Sequence, residues 1–549
     1  DALGYLKALR PGQRVHELKY VHGRQLLVAL LEATHGAPLV ELIAQEYRSI
    51  SSDEARLLYL DICSLHRFGP PVRAGLISRI HNITFNEFRE RLFKPLQNIV
   101  SLREDKRSGD YVYEARHSFI ANTVYEAAVK TTAERFDNIV RVINKLNPNY
   151  SYDLEVLGKL IKADTLEKTL RDHAKIRQVF DVAEDCLGTS SLLLHQQGLF
   201  EMHVANNQGG LTAAEDLLTQ ALEFEPYNRA IKHSLAEINL KRSRLASDKL
   251  ERRAWRGKAV EQAGALLKGN SPYPHHTLLK ASVDAVRDAL AAAEAEETEV
   301  NTRALGETIA GAEEVLKRGL QAFPNEALLL KEEGELSAVL SEAVRAERAF
   351  EKAFEANPRS TLVARRLARI KRAKETYTDA AQILQKCLGF NPGSQELHYD
   401  LALVTIESAP DADQTENETV LYHLKRSFSS GDKNRQAQFW YARQLCISDN
   451  YEDARPIFRA LADARLPFRE KKEVRAPIRQ SDSLARVYQG TISSIRGQFG
   501  FIRCDSPTLS AYFSTTDLGD LAELVSVGDT ISFNIAFNLM GPVAINLQI

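Results

Sequence analysis

The chain has 549 residues, of which 44% are hydrophobic and 26% charged; 71 basic and 73 acidic side chains leave a formal net charge of -2. It is too long for one core, so about three to four domains are expected, and no global field draws it onto nucleic acid or membrane. Five scattered cysteines (Cys63, Cys186, Cys387, Cys446, Cys504) without a C-x-x-C pair exclude a disulfide framework or a zinc site and suit a reducing cytoplasm.

No apolar stretch approaches the roughly 18 residues that span a bilayer, so no membrane partner is expected. Residues 1–50 read as short helices. In Gly23–Ala33, Leu26, Leu27, Leu30 and Leu31 share one helical face, and Leu39–Tyr47 begins another helix. The chain starts at Asp1 within helical sequence, so a further N-terminal region is expected. Ser51-Ser52-Asp53-Glu54 caps a helix that runs to about His66. Pro71–Ile80 and Thr84–Ile99 read as two more helices, the second capped by Thr84 with Glu87. Ile99–Arg103 and Tyr111–Ala115 are β-prone runs joined by a polar turn, and a helix follows from His117 to about Val129.

Three helices and a hairpin follow winged-helix order, and Tyr113–Glu126 (YEARHSFIANTVYE) carries a more specific signal. It resembles the winged-helix motif of STAND-class signalling ATPases, whose bacterial members read F-R-H-x-L-I-R-E-x-V-Y. The resemblance implies that His117, beside Arg116, reaches a bound nucleotide's β-phosphate and holds the closed state. An imidazole at a helix N-terminus can donate to such an oxygen. Asn122 and Thr123 stand where the motif has Arg-Glu. The alternative is that His117 caps its helix or packs under the wing. Gly158-Lys159 and Gly257-Lys258 lack the upstream glycine and the following Ser or Thr of a phosphate-binding loop. No cofactor is therefore expected in this chain, and no catalytic residue. ATP or ADP is implied only for a full-length protein carrying the nucleotide-binding core.

Residues 131–190 read as a helical linker broken at Asn147-Pro148-Asn149. Pro324, Pro358 and Pro392 then stand 34 residues apart, each closing an amphipathic helix. Ala346, Phe350 and Ala353 match Ala380, Leu384 and Cys387, and also Ala312, Leu316 and Gly319. An earlier copy reads Ala214, Leu218, Ala221, Pro226, and a late one Ala442, Ala454, Phe458. Small residues admit close helix approach, and proline stops the second helix. This resembles the tetratricopeptide repeat, which implies stacked helix pairs and a concave face for a protein partner. Lys241–Gln262, with Trp255, reads as a basic helix, a solvated face or a dock for an acidic partner. Ser271-Pro272-Tyr273-Pro274 reads as a break, with His275-His276 in a loop, and Ala281–Val300 as an Ala/Glu-rich helix. A polar insert, Ala409–Glu418, precedes the last hairpins.

Arg469, Lys471, Lys472, Arg475 and Arg479 form a basic linker, after which the apolar period switches to 2. Gly497-Gln498-Phe499-Gly500-Phe501-Ile502, Tyr512-Phe513-Ser514 and Gly541-Pro542-Val543-Ala544-Ile545-Asn546 follow the order of a cold-shock domain. That resemblance implies a five-stranded OB-type barrel, with Phe499, Phe501 and Tyr512 at positions that stack single-stranded bases. Its first-strand Lys-Trp-Phe is replaced by Ser493-Ser494-Ile495, its loop lysine by Gln498 and its histidine by Ser514. Arg486, Arg496 and Arg503 are outnumbered by Asp482, Asp505, Asp517, Asp520, Glu523 and Asp529. The expectation is a retained barrel with a degraded binding face, its aromatics packed against the last hairpin or a partner.

The expected fold is mainly α: a helical lid-like segment (1–50), a winged-helix domain (51–130), a helical linker (131–189), an α-solenoid of tetratricopeptide-like repeats (190–468), a basic linker (469–485) and a small all-β OB-type barrel (486–549). The expected function is the regulatory portion of a cytoplasmic, bacterial STAND-type NTPase in antiphage or stress defence. Its repeats would bind a protein, and it would oligomerise on activation. The alternative is an RNA- or DNA-binding regulator that uses the barrel.

Overall fold

The computed structural model describes residues 39–548 apart from 70, 88–92, 107–109, 409–413, 429–433, 482–483 and 519–524. The helix expected over Gly23–Ala33 lies outside these residues. The described chain is mainly helical and ends in a closed five-stranded barrel. It divides into two units, residues 1–319 and 320–549.

In the first unit, helices Leu39–Ser49 and Asp53–His66 lead into strand β1 (Val72–Arg73). Ser52 caps the second helix by accepting the Ala55 N–H. The single helix expected over Pro71–Ile80 is corrected to β1 followed by helix Ala74–His81. Within the helix expected over Thr84–Ile99, Phe85–Glu87 and Phe93–Leu96 are helical, and residues 88–92 lie outside the described chain. The capping box there does form, because the Thr84 N–H donates to Glu87 and the Glu87 N–H to the Thr84 hydroxyl. Strands β2 (Val100–Asp105) and β3 (Asp110–Ala115) make the expected hairpin, with Val100 opposite Ala115. β1 pairs with β3, so the sheet order is β1-β3-β2, and helix Ser118–Ala128 follows.

Residues 131–189 are corrected from linker to core. Helices Thr132–Ile143, Ser151–Leu160, Ala163–Leu170 and His173–Leu187 contribute Ile139, Val142, Leu157, Leu166, Val179 and Phe180 to the same apolar cluster as Leu58, Tyr59, Ile62, Val72 and Tyr113. Two buried carboxylates tie these layers. Asp61 accepts from Asn138 and Arg141 and pairs with His81. Asp153 accepts from Arg79 and from the Asn147 N–H. Removing one partner from such a site costs about 3–5 kcal/mol, because the other charge stays buried.

Helical hairpins begin with Ser191–Val204 and Gln208–Phe224 and continue with Arg229–Leu245 and Lys249–Ala265; helix Pro272–Ala295 packs on the second of these hairpins, and helix Glu299–Ala322 follows it. The expected basic helix Lys241–Gln262 is corrected to parts of two helices joined by a turn. Asp288 pairs with both Arg252 and Arg256, and the cations of Arg242 and Lys258 both approach the Trp255 ring. Much of the run thus clamps neighbouring helices together. Ser271 precedes a helix with proline in its first turn rather than a break, so His275 and His276 are helical.

In the second unit the hairpins are Ala327–Val339 with Ala343–Ala356, Thr361–Ala373 with Tyr377–Phe390, Gln395–Ser408 with Gln414–Arg426, and Arg435–Ile447 with Tyr451–Asp463. Ala346, Ala353 and Ala380 are all buried. A glycine at the eighth residue of a first helix completes the fit: a Cβ on Gly198 would meet Leu218 at 2.7 Å and one on Gly334 the Phe350 ring at 2.8 Å. The short helix Phe468–Lys472 leads to hairpin β4 (Arg479–Ser481) and β5 (Leu484–Ala485). The barrel consists of β6 (Val487–Arg496), β7 (Phe499–Asp505), β8 (Thr508–Ser514), β9 (Thr530–Asn538) and β10 (Gly541–Gln548), in order β10-β8-β7-β6-β9.

Candidate functional site

Within each unit, successive first helices of the hairpins line one surface, the inner surface of that unit. Their first residues are 191 and 229 in the first unit and 327, 361, 395 and 435 in the second. Residues at the fifth, sixth and ninth places of these helices face their neighbours. Arg366 thus meets Glu335 and Arg365 meets Asp400, while Arg372, further along its helix, meets Glu407.

In the first unit this surface holds a cavity of about 500 Å³. Gln196, Leu199, Met202 and His203 line it from helix 191–204, and Glu237, Leu240, Lys241 and Arg244 from helix 229–245. Ser190 and Asn228 cap the two helices and set their phase. The Lys241 ammonium donates to the carbonyls of Met202 (2.6 Å) and His203 (2.8 Å), the orphan acceptors at that helix's C-terminus. Burial holds its pKa below the usual lysine value. The carboxylates are engaged: Glu167 with His203 at 2.6 Å, Glu237 with Lys280 and Thr277. Burial raises Glu237, but Lys280 and the hydrogen bonds from Lys280 and Thr277 outweigh it and leave the carboxyl below its ordinary value. Burial lowers His195 and His233, which keeps these inner-face imidazoles neutral at pH 7. The result is an apolar trough with fixed donors and acceptors.

His117 is the N-cap of helix Ser118–Ala128, its Nδ1 accepting the Phe119 N–H at 3.1 Å. Arg116 ion-pairs with Glu46, so neighbouring residues point to different partners. Among the described residues no group of three or more His, Cys, Asp or Glu could hold a metal, and no helix is long and apolar enough to cross a membrane.

On the barrel, Phe499, Phe501 and Tyr512 form one cluster with ring centroids 6.0–6.1 Å apart. Phe501 is opposite Tyr512 on β8 and Ser494 on β6. Arg496 is opposite Phe499, and Arg503 extends the same strand face opposite Ser510. Whole-barrel charge therefore misdescribes this face. Asp505 pairs with Arg503 at 3.6 Å, and Asp529 accepts the Ser526 N–H in a turn. The aromatics do not pack against the last hairpin; Phe537 and Ile478 do, sharing a cluster with Phe439, Leu445, Phe458 and Leu461.

The segment expected as a linker is the element that sequence reading missed. Arg475 and Phe537 exchange both backbone hydrogen bonds (2.8 and 3.0 Å), and the Ile478 N–H donates to Ile535 at 2.9 Å. Residues 475–478 thus continue along β9 beyond its pairing with β6, which ends at Asn534. No local signal marks this, since the partner strand lies about 60 residues downstream.

No family model and no curated protein sequence matches the chain. Among solved structures it is similar to a thermophilic tetratricopeptide repeat protein of Thermus thermophilus (20% identity, TM-score 0.30, 39% of this chain and 98% of that one). A tetratricopeptide repeat protein from Parabacteroides merdae (16% identity, TM-score 0.26, 50% and 94%) and PilF of Pseudomonas aeruginosa (14%, 0.31, 42% and 90%) are further similar structures. The assignment of stacked, tetratricopeptide-like hairpins rests on the helix pairs and small-residue contacts described above.

Proposed function

We propose that the chain is the regulatory, partner-reading portion of a signalling protein, in which the inner surface of the hairpins takes a protein segment. The carrying observation is the 500 Å³ trough between helices 191–204 and 229–245. Peptides selected by display against the whole chain are expected to lose binding with Met202→Glu, which places a carboxylate among the trough's apolar groups. Selected peptides that bind this variant unchanged overturn the reading.

Within this reading, residues 51–130 are a winged helix that reports nucleotide state, as in STAND-type NTPases of antiphage or stress defence. The β1-β3-β2 sheet and the position of His117 between β3 and its helix support it. The cap uses Nδ1, so Nε2 is the atom to donate to a phosphate oxygen of ATP or ADP. Such a protein needs a nucleotide-binding core from adjoining sequence, and its oligomerisation on activation belongs to the same proposal. A cytoplasmic setting is supported by the free cysteines. In a protein carrying that core, His117→Ala should speed release of bound diphosphate, and an unchanged release rate overturns the sensor role.

A second reading, an RNA- or DNA-binding regulator, is favoured by one observation: three outward aromatics flanked by Arg496 and Arg503 on a single sheet face. Stacking platforms beside cations are what single strands require.

A further inference from the structure

The inner surface of the second unit ends in a contact that the chain makes with itself. Counting from their first residues, Phe439, Trp440 and Arg443 occupy the fifth, sixth and ninth places of helix Arg435–Ile447. The same places in the preceding helices are held by Arg365, Arg366 and Arg369, and by Tyr399, Asp400 and Leu403. These are the inner-face positions, yet residues 475–479 lie across them. Arg443, 1% exposed, donates from Nε to the Ala476 carbonyl (3.0 Å) and from its guanidinium to the Pro477 carbonyl (3.1 Å). The Arg475 guanidinium stacks 4.8 Å from the centre of the Phe439 ring. Arg479 reaches the Ile406 carbonyl at the end of the neighbouring first helix. Ile478, 1% exposed, is buried beneath the barrel, and the opposite backbone edge of the segment pairs with β9.

We propose that residues 475–479 are a built-in occupant of this inner surface, an autoinhibitory latch that excludes a partner segment from the last hairpin while the barrel is seated. The inference rests on the reading of the inner surface as a peptide site. The contact has the features of peptide recognition: two adjacent carbonyls that meet a fixed guanidinium fork, with one aliphatic anchor. An external segment able to compete would turn through a left-handed residue, as the chain does at Ala476 (φ 52°), would offer adjacent carbonyls to Arg443 and would carry an aliphatic residue in place of Ile478. It would have to detach residues 475–478 from β9, so occupancy of this site and pairing of the barrel edge exclude one another. Binding in cis has the advantage of a high effective concentration.

The test uses the whole chain and a fluorescent peptide with the sequence of residues 473–481. Wild type should bind the peptide at least about tenfold more weakly than Ile478→Ser, in which the internal segment loses its anchor. Adding Arg443→Gln to Ile478→Ser should remove the gain. Equal binding to wild type and Ile478→Ser overturns the proposal, as does no binding to a folded Ile478→Ser chain. Should Ile478→Ser fail to fold, hydrogen exchange of Arg443→Gln decides. The Arg475 and Ile478 amides should exchange at least about tenfold faster than in wild type while β7 and β8 stay protected, and unchanged exchange overturns it. No external partner enters the assay. Loss of the trough reading in the first unit therefore leaves a different signature, failure of display peptides with the latch intact.

Discussion

Phe458, in the last helix of the final hairpin, lies flat against Phe537 of β9, with ring centroids 6.2 Å apart and planes 9° from parallel. The two rings belong to one apolar cluster that also holds Phe439, Ile478 and Phe513. A solenoid end exposes the face that a further repeat would cover; here a β-barrel covers it. Phe458→Ala should lower stability by about 3–5 kcal/mol, as should Phe537→Ala. The double variant should fall short of the sum by about 0.5–1.5 kcal/mol. Urea unfolding followed by Trp440 fluorescence in a Trp255→Phe background measures the cycle. Full additivity would show that the two rings act separately.

The hairpin repeats were legible because each pair solves the same packing problem, so small residues and prolines recur at fixed offsets. Strands β6 to β10 were legible for a similar reason, since alternation of inward and outward residues is local. What failed was non-local. The pairing of residues 475–478 with β9, and the fusion of residues 131–189 into the first core, depend on surfaces that no window of sequence contains. The two-residue strand β1 is too short to show a period, and its pairing with β3 alone defines it. At the barrel face, aromatic identity was readable from the sequence. The neighbours of those aromatics were not, because register decides that Arg496, Arg503 and the strand carboxylate Asp505 share their face.

Close approach within a hairpin should be sensitive to one methyl group. Gly334→Ala would place a Cβ within 3 Å of the Phe350 ring, and Ala353→Leu would insert a branched chain where exposure is 0%. Each should cost about 1–3 kcal/mol by overpacking. Thermal unfolding of the variants checks this, and an unshifted midpoint would show that the helices have room to separate.

His398 and His423 should make the second unit weaken in acid. The His398 Nε2–H donates to the Pro392 carbonyl at 3.1 Å, so its Nδ1 accepts from the His423 Nδ1–H at 2.8 Å. Burial, then His398 and Arg426, lower the His423 pKa to about 4, and burial also lowers His398. A folded pKa below the unfolded value favours the neutral ring. The stabilisation is complete above the unfolded value of about 6.5 and is lost as pH falls towards 4. The urea midpoint of Trp440 fluorescence should therefore fall from pH 7.5 to pH 5. His423→Gln should remove a large part of that fall, and an unaltered slope would assign the acid sensitivity elsewhere.

The cap at His117 separates a structural from a signalling role. His117→Ala removes the acceptor for the Phe119 N–H and should cost about 0.5–2 kcal/mol, whereas His117→Ser should restore the cap. If Nε2 meets a phosphate, His117→Ser in a nucleotide-loaded protein should release diphosphate as fast as His117→Ala despite its recovered stability. If the cap is the whole role, His117→Ser should match wild type in both measurements.

The last prediction concerns the barrel face. Each stacking aromatic can supply about 1–3 kcal/mol to a base, but a polyanion also needs cations whose counterion release adds to binding. Two are present beside the triad, and Arg503 is partly neutralised by Asp505 at 3.6 Å. Arg475 and Arg479 of the basic segment do not add to these cations, because they are held by Phe439 and the Ile406 carbonyl. The face should therefore bind single strands weakly, with a shallow salt dependence. For two contacts, the slope of log K against log[salt] should be near -1.4, on the order of 0.7 per cation for single strands. Oligouridine and oligothymidine titrated into the whole chain at low and moderate salt measure both quantities. Phe501→Ala, at the centre of the cluster, should weaken binding by about tenfold or more. Micromolar or tighter binding with a steep slope would mean that more cations reach the strand than the barrel face offers, and would move the nucleic-acid reading ahead of the peptide one.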